Sequence, residues 1–193
     1  MKQNKHGIPV LNREELSTVL TKIKLKGVNK GILLMGIPGT GKTTIIKKFL
    51  NDIRDDKIQQ IKDTNRDSTE YRVNLKIDVI RPEYYLKSTN DLVTHYMETG
   101  KVPTSKNIDD LGTEPIANHY GTTLDIIPFI IQKMYSNNQD FGYYTTNLSY
   151  NELVERYGKR IVERLQEKCY IFHLEDTNFR NIKGVKEINQ ELK

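Results

Sequence analysis

The chain has 193 residues, enough for one domain of ordinary size with a core that needs no disulfide or structural metal. Thirty Lys/Arg against twenty-five Asp/Glu give +5, and the excess lies at the front: residues 1–48 carry +8 and the remainder −3. One cysteine, Cys169, excludes an internal disulfide and a cysteine-rich zinc site; with no apolar leader and no run near the ~20 residues of a membrane helix, a soluble cytoplasmic protein is expected.

In chain order, Asn12 to Lys26 spaces Leu16, Val19, Leu20 and Ile23 as one apolar helix face. Asn12 is placed to cap it, with Glu15 three residues on and a basic outer face. Gly31 to Met35 is a short apolar run that predicts a buried parallel strand. A glycine-rich turn and a helix from Thr43 to Ile53 follow, and the charged stretch Asp55 to Glu70 reads as an exposed loop. Tyr71 to Ile80 alternates as a strand does, and Asn90 to Thr99 predicts a helix stopped by Gly100. Leu124 to Tyr135 is a further helix and Phe141 to Thr146 a second buried strand. Ser149 with Glu152 predicts a capping box, for a helix that Gly158 ends. Arg160 to Lys168 is the last helix and Tyr170 to Leu174 the last strand. Strands alternating with helices predict an α/β fold with a mainly parallel sheet.

Gly36-Ile37-Pro38-Gly39-Thr40-Gly41-Lys42-Thr43 fits the pattern G-x-x-x-x-G-K-[ST] and sits between a predicted strand and a predicted helix. The glycines let successive backbone N–H groups turn toward phosphates, and the helix N-terminus adds partial positive charge. Lys42 supplies a point charge to the β- and γ-phosphates, and the Thr43 hydroxyl is placed for Mg²⁺. The nucleotide-binding candidates are therefore Gly36, Pro38, Gly39, Thr40, Gly41, Lys42, Thr43 and Thr44. The motif alone does not choose between ATP and GTP, nor between hydrolysis, transfer and binding.

Asn107-Ile108-Asp109-Asp110-Leu111-Gly112-Thr113-Glu114 is the candidate metal side of the site. At a strand end Asp109 would hold the Mg²⁺ water shell and Asp110 would polarise the attacking water; a surface Asp-Asp-Leu-Gly turn is the alternative. The residues before it, Thr104 to Asn107, are polar where a buried strand is ordinarily apolar.

These strings, followed by Thr145-Thr146-Asn147-Leu148 and by Arg156-Tyr157-Gly158-Lys159-Arg160-Ile161-Val162-Glu163-Arg164-Leu165, come in the order found in AAA+ ATPases. More narrowly, the chain resembles the DnaC-type helicase loaders and their IstB-type transposition relatives, from about Gly31 to Arg180. The resemblance implies a P-loop ATPase domain over 31–180, a short basic extension over 1–30 and a tail over 181–193, with little or no C-terminal lid. It implies Asp109 and Asp110 as the Walker B pair and Asn147 as sensor 1. Arg160 or Arg164 would be the arginine finger given to a neighbouring subunit, with Arg164 favoured, and Arg180 would be sensor 2. ATP and Mg²⁺ are the implied cofactors. Single-stranded DNA, a DnaB-like replicative helicase and further copies of the chain are the implied partners. The segments Arg81 to Pro103 and Pro115 to Thr123 carry no role in this reading.

The expected function is ATP-driven helicase loading or remodelling in DNA replication. The alternatives are an IstB-like ATPase assisting a transposase, a small-molecule P-loop kinase, or an ATP-gated binding module that does not hydrolyse. His6, His95, His119 and His173 show no ligand spacing. Cys169, Tyr143 and Tyr144 read as packing residues, whereas Tyr84 and Tyr85 stand near Arg81 and Lys87 and are candidates for base stacking. Lys22, Lys24, Lys26 and Lys30 are the candidate phosphate contacts of the basic front.

Overall fold

The computed structural model describes residues 2–26, 30–64 and 85–175. Its elements are β1 (Val10–Leu11), α1 (Arg13–Leu25), β2 (Gly31–Met35), α2 (Lys42–Thr64), β3 (Lys87–Ser88), α3 (Thr89–Thr99) and β4 (Ile108–Leu111). After these come β5 (Ala117–His119), β6 (Thr122–Leu124), α4 (Ile126–Ser136), β7 (Tyr143–Thr146), α5 (Tyr150–Tyr157), α6 (Lys159–Lys168) and β8 (Cys169–Leu174). Among the described residues, six strands form one sheet in the order β1-β8-β2-β7-β4-β3, every pairing parallel. β5 and β6 make a separate antiparallel hairpin.

β2 is apolar throughout because both faces of the sheet are covered. Ile32 and Leu34 pack with Leu16 and Leu20 of α1 and Ile46, Phe49 and Leu50 of α2. Leu33 and Met35 point the other way, into the larger cluster built from α3, α4, α5 and α6. This is an α/β sheet with helices on both faces, as the strand–helix alternation predicts.

Local chemistry sets the helix ends. Asn12 and Ser149 both form complete capping boxes, with Glu15 and Glu152. Hydrogen bonds from the Ser149 side chain and backbone hold the Glu152 carboxyl below its usual range. α3 ends on Gly100 in the left-handed region, where a Cβ is costly.

Several expectations need correction. α2 runs to Thr64 rather than Ile53, so the first part of the expected loop 55–70 is helix. Beyond the core its side chains are mostly solvated, held by pairs such as Gln59–Asp63 and Lys24–Asp56, so no apolar period marks them. The helix expected from Leu124 begins at Ile126, because Leu124 closes the β5–β6 hairpin. That hairpin, from Ala117 to Leu124, covers most of the segment Pro115 to Thr123, and β3–α3 lies within Arg81 to Pro103. The segment 1–30 contributes β1 to the sheet edge and α1 to its face. The expected strand Tyr71 to Ile80, and Arg81, Tyr84, Arg180 and the tail, lie outside the described residues. No helix among the described residues is long and apolar enough to cross a membrane.

Candidate functional site

The sheet order puts β7 directly between β2 and β4, so the loop after β2 and the ends of β4 and β7 meet at one edge. Lys42, only 4% exposed, extends its ammonium to the carbonyls of Gly36 at 2.7 Å and Ile37 at 2.9 Å, and to Asn147 Oδ1 at 2.7 Å. The Asn147 amide nitrogen in turn donates to Asp110 Oδ1 at 3.4 Å. Thr43 Oγ1 donates to Asp109 Oδ1 at 2.9 Å. Lys42, Thr43, Asp109, Asp110 and Asn147 thus form one connected cluster.

In a regular strand Asp109 and Asp110 would face opposite sides of the sheet. Here the β4–β7 register shifts between Ile108 and Leu111, and Asp110 sits at φ 59. The irregularity turns both carboxylates toward β7 and the loop. A left-handed non-glycine residue costs about 1–3 kcal/mol, and three donors to the Asp110 carbonyl hold it in place. They are Thr113 N–H at 3.3 Å, Thr113 Oγ1 at 2.8 Å and Thr89 Oγ1 at 3.2 Å.

Thr145, fully buried in β7, completes the arrangement. Its hydroxyl donates to Asp109 Oδ1 at 2.5 Å and accepts the Asp110 N–H at 2.9 Å. The Thr145-Thr146-Asn147-Leu148 string does not by itself give Thr145 a task. The polar stretch before β4 has an explanation too. Asn107, 1% exposed, bridges strands: its Oδ1 accepts the Tyr143 N–H at 3.1 Å and its amide reaches the Tyr85 carbonyl. An amide that stitches neighbours together replaces apolar packing at the strand's entry.

A cavity of about 320 Å³ opens over the cluster. Pro38, Gly39, Gly41, Lys42, Thr43 and Thr44 wall one side, Asp110 and Asn147 stand across from them, and Arg13 of α1 joins the wall. Thr40 is buried beneath, its hydroxyl donating to the Ile37 carbonyl at 3.1 Å. Gly39 and Gly41 both take φ 88, which only glycine adopts without strain. A loop with these glycines at a helix N-terminus, and one lysine, has the makings of an anion cradle. A hydroxyl and a carboxylate side by side are oxygen donors of the kind Mg²⁺ takes together with phosphates and water. No group of three His, Cys, Asp or Glu among the described residues could hold a metal alone. A more apolar cavity, about 340 Å³, lies between loop 102–106 and α4 near the strands' starting ends and includes none of these groups.

The two arginines of α6 part company. Arg164 is 7% exposed, its guanidinium bonded to Gln132 and lying 4.7 Å from the Tyr135 ring centroid. Arg160 is exposed, with no hydrogen bond or ion pair among the described residues. One face of an ideal helix does not separate them, but packing against α4 does.

Glu114 and Arg156 account for the remaining motif positions. Glu114 is buried, accepting the Gly112 N–H at 2.9 Å, the Tyr157 hydroxyl at 2.8 Å and Arg156 Nη2 at 3.0 Å. Arg156 also grips Asp125 at 2.6 Å. The two strings that flank these residues are therefore joined in space, tying the loop after β4 to α5. Burial and the neighbouring Glu114 push the Tyr157 phenol far above its normal range, so it stays protonated as a donor.

The residues set aside behave as packing. Tyr144 is fully buried and Tyr143 meets Phe49 edge-on. Burial raises the Cys169 thiol well above its ordinary value, which suppresses the thiolate. Tyr85 is exposed.

No protein-family model matches the chain, and no curated protein matches it. Among solved structures, the crystal structure of the DnaC helicase loader matches over 89% of this chain and 95% of that one, with a TM-score of 0.52 and 21% sequence identity. The chain thus shares the P-loop α/β fold of that protein.

Proposed function

We propose that the chain is an ATP-hydrolysing AAA+ protein that acts in DNA replication, loading or remodelling a replicative helicase on single-stranded DNA. The observation that carries the reading is the convergence of Lys42, Thr43, Asp109, Asp110 and Asn147 at the ends of three adjacent strands. The helicase step draws on the fold shared with a helicase loader.

Each side chain has a task in hydrolysis. The 36–44 loop binds the phosphates through its N–H groups, and Lys42 gives its charge to the terminal ones in place of the acceptors it now holds. Thr43 and Asp109 would hold Mg²⁺, which when bound neutralises charge on the phosphate oxygens. Thr145 fixes the Asp109 carboxylate by its short hydrogen bond. Asp110 polarises the attacking water, and Asn147 holds that carboxylate and Lys42 in register.

Arg160 is the finger candidate the geometry favours, because an exposed guanidinium can reach a neighbouring subunit and a buried one cannot. The isolated chain lacks that second cation, so its turnover should be slow and should rise on assembly. Lys22, Lys26 and Lys30 remain the DNA contacts of this reading, whereas Lys24 is engaged by Asp56 at 2.7 Å. Arg180 is kept as the sensor 2 candidate.

The test is ATP turnover across a tenfold protein series, with and without single-stranded DNA. Specific activity that climbs with concentration or DNA, and is lost in Asp110→Asn while nucleotide binding persists, is the expected result. Turnover that is independent of concentration and DNA would favour a monomeric enzyme such as a kinase. Turnover unchanged by Asp110→Asn would remove the hydrolytic mechanism.

A further inference from the structure

Arg13 lies outside every motif of the sequence, yet it reaches the phosphate loop. It is the first residue of α1, and the Asn12–Glu15 capping box fixes that turn through bonds of 3.0 and 2.9 Å. From there Nε and Nη2 both donate to the Thr40 carbonyl, at 3.2 and 2.8 Å. The guanidinium lies so close to Gly41 that a Cβ there would overlap it. It also walls the same cavity as Lys42 and Thr43.

A peptide unit is planar and trans, so its carbonyl and its N–H point in opposite directions. Holding the Thr40 carbonyl on Arg13 therefore holds the Gly41 N–H away from it. This unit needs such a hold. Inverting it turns ψ of Thr40 and φ of Gly41; Gly41 stands at φ 88, and glycine passes between positive and negative φ at little cost. An inverted unit would turn a carbonyl oxygen to where the N–H had pointed, and a carbonyl repels phosphate.

We propose that Arg13 is a positioning residue for nucleotide binding: it locks the Thr40–Gly41 peptide with its N–H presented to the phosphates. The proposal rests on the nucleotide-binding reading above. It makes α1 part of the nucleotide site, through one forked contact between side chain and backbone. Lysine cannot reproduce that contact, because its ammonium lacks the planar fork that places two N–H groups on one carbonyl.

The experiment measures Mg-ADP affinity of the full chain by calorimetry and follows the Gly41 amide resonance by NMR, for wild type, Arg13→Ala, Arg13→Lys and Lys42→Ala. The expected result is a tenfold or greater loss of affinity in Arg13→Ala and a smaller loss in Arg13→Lys. In nucleotide-free Arg13→Ala the Gly41 resonance should split or broaden, while resonances from the middle of α1 and the thermal midpoint hold. Should the alanine variant not fold, Arg13→Lys carries the same readouts. Affinity within twofold of wild type overturns the proposal when Lys42→Ala has lost binding. A large loss with an undisturbed Gly41 resonance overturns it as well, since Arg13 would then act on the phosphates directly. Wild type that does not bind Mg-ADP overturns the nucleotide reading itself, and the proposal with it.

Discussion

Replacing Arg156 by alanine tests the brace between the loop after β4 and α5. The substitution deletes bonds to Glu114 Oε1 at 3.0 Å, to the Glu114 carbonyl at 3.2 Å and to both Asp125 oxygens at 2.6 and 3.2 Å. The Glu114 side chain has no exposure, and it would keep only the Tyr157 hydroxyl and the Gly112 N–H. Removing one partner of a buried ion pair costs about 3–5 kcal/mol. Arg156 and Asp125 retain side-chain exposures of 22% and 30%, so water softens their end of the network. The expectation is therefore near the lower limit, about 3 kcal/mol. Urea unfolding reads it directly: at a slope of about 2 kcal/mol per molar the midpoint should fall by roughly 1.5 M. Glu114→Gln combined with Arg156→Ala should cost clearly less than the sum of the two single changes, because the stranded charge is gone. A loss under about 1 kcal/mol for Arg156→Ala, or strict additivity, would refute the brace.

Thr145→Val keeps the shape of the side chain but leaves the Asp110 N–H without its acceptor, costing about 1–3 kcal/mol of stability; Mg²⁺-dependent nucleotide affinity should fall with it, measured by calorimetry with and without Mg²⁺. Arg164→Ala should lower the thermal midpoint, since it removes a buried guanidinium from Gln132 and Tyr135, whereas Arg160→Ala should leave the midpoint unchanged and reduce only concentration-dependent turnover. Burial, the largest cause, lowers the His173 imidazole pKa in the folded chain. The unfolded chain then takes up the proton first, so this contribution is complete above the unfolded pKa of about 6.5 and is lost as pH falls through the folded value. Urea midpoints at pH 7.5 and 5.5 should differ less in His173→Asn than in wild type.

The phosphate loop was legible because each of its residue types answers a local need: glycine for positive φ, lysine for charge, a hydroxyl for the cation. Capping was legible for the same reason, and both boxes lie where Asn12 and Ser149 indicate. What depended on distant contact was not. Asn107 looks wrong for a buried strand until Tyr143 is seen to use its amide. Glu114 and Arg156 read as separate motif positions until the fold makes them one ion pair. Arg160 and Arg164 are equivalent by helical spacing, and only α4 distinguishes them. Arg13 carries no local signal, because its partner is a backbone carbonyl in another element.

β1 has one neighbour in the sheet, β8, through Val10 opposite His173 and Leu11 opposite Leu174. Roughly 160 residues separate the partners, which a ribosome adding about 5–20 residues per second delivers in roughly 8–30 s. For that interval Val10 and Leu11 have no strand to join, and the side of β2 that later takes β8 stands open. A nascent chain stalled before Cys169 thus offers Gly31–Met35, apolar at four of five positions, as an unpaired edge. Such an edge pairs readily with other chains. Protecting it during synthesis falls to the helices already made, α1 to α6, or to a chaperone.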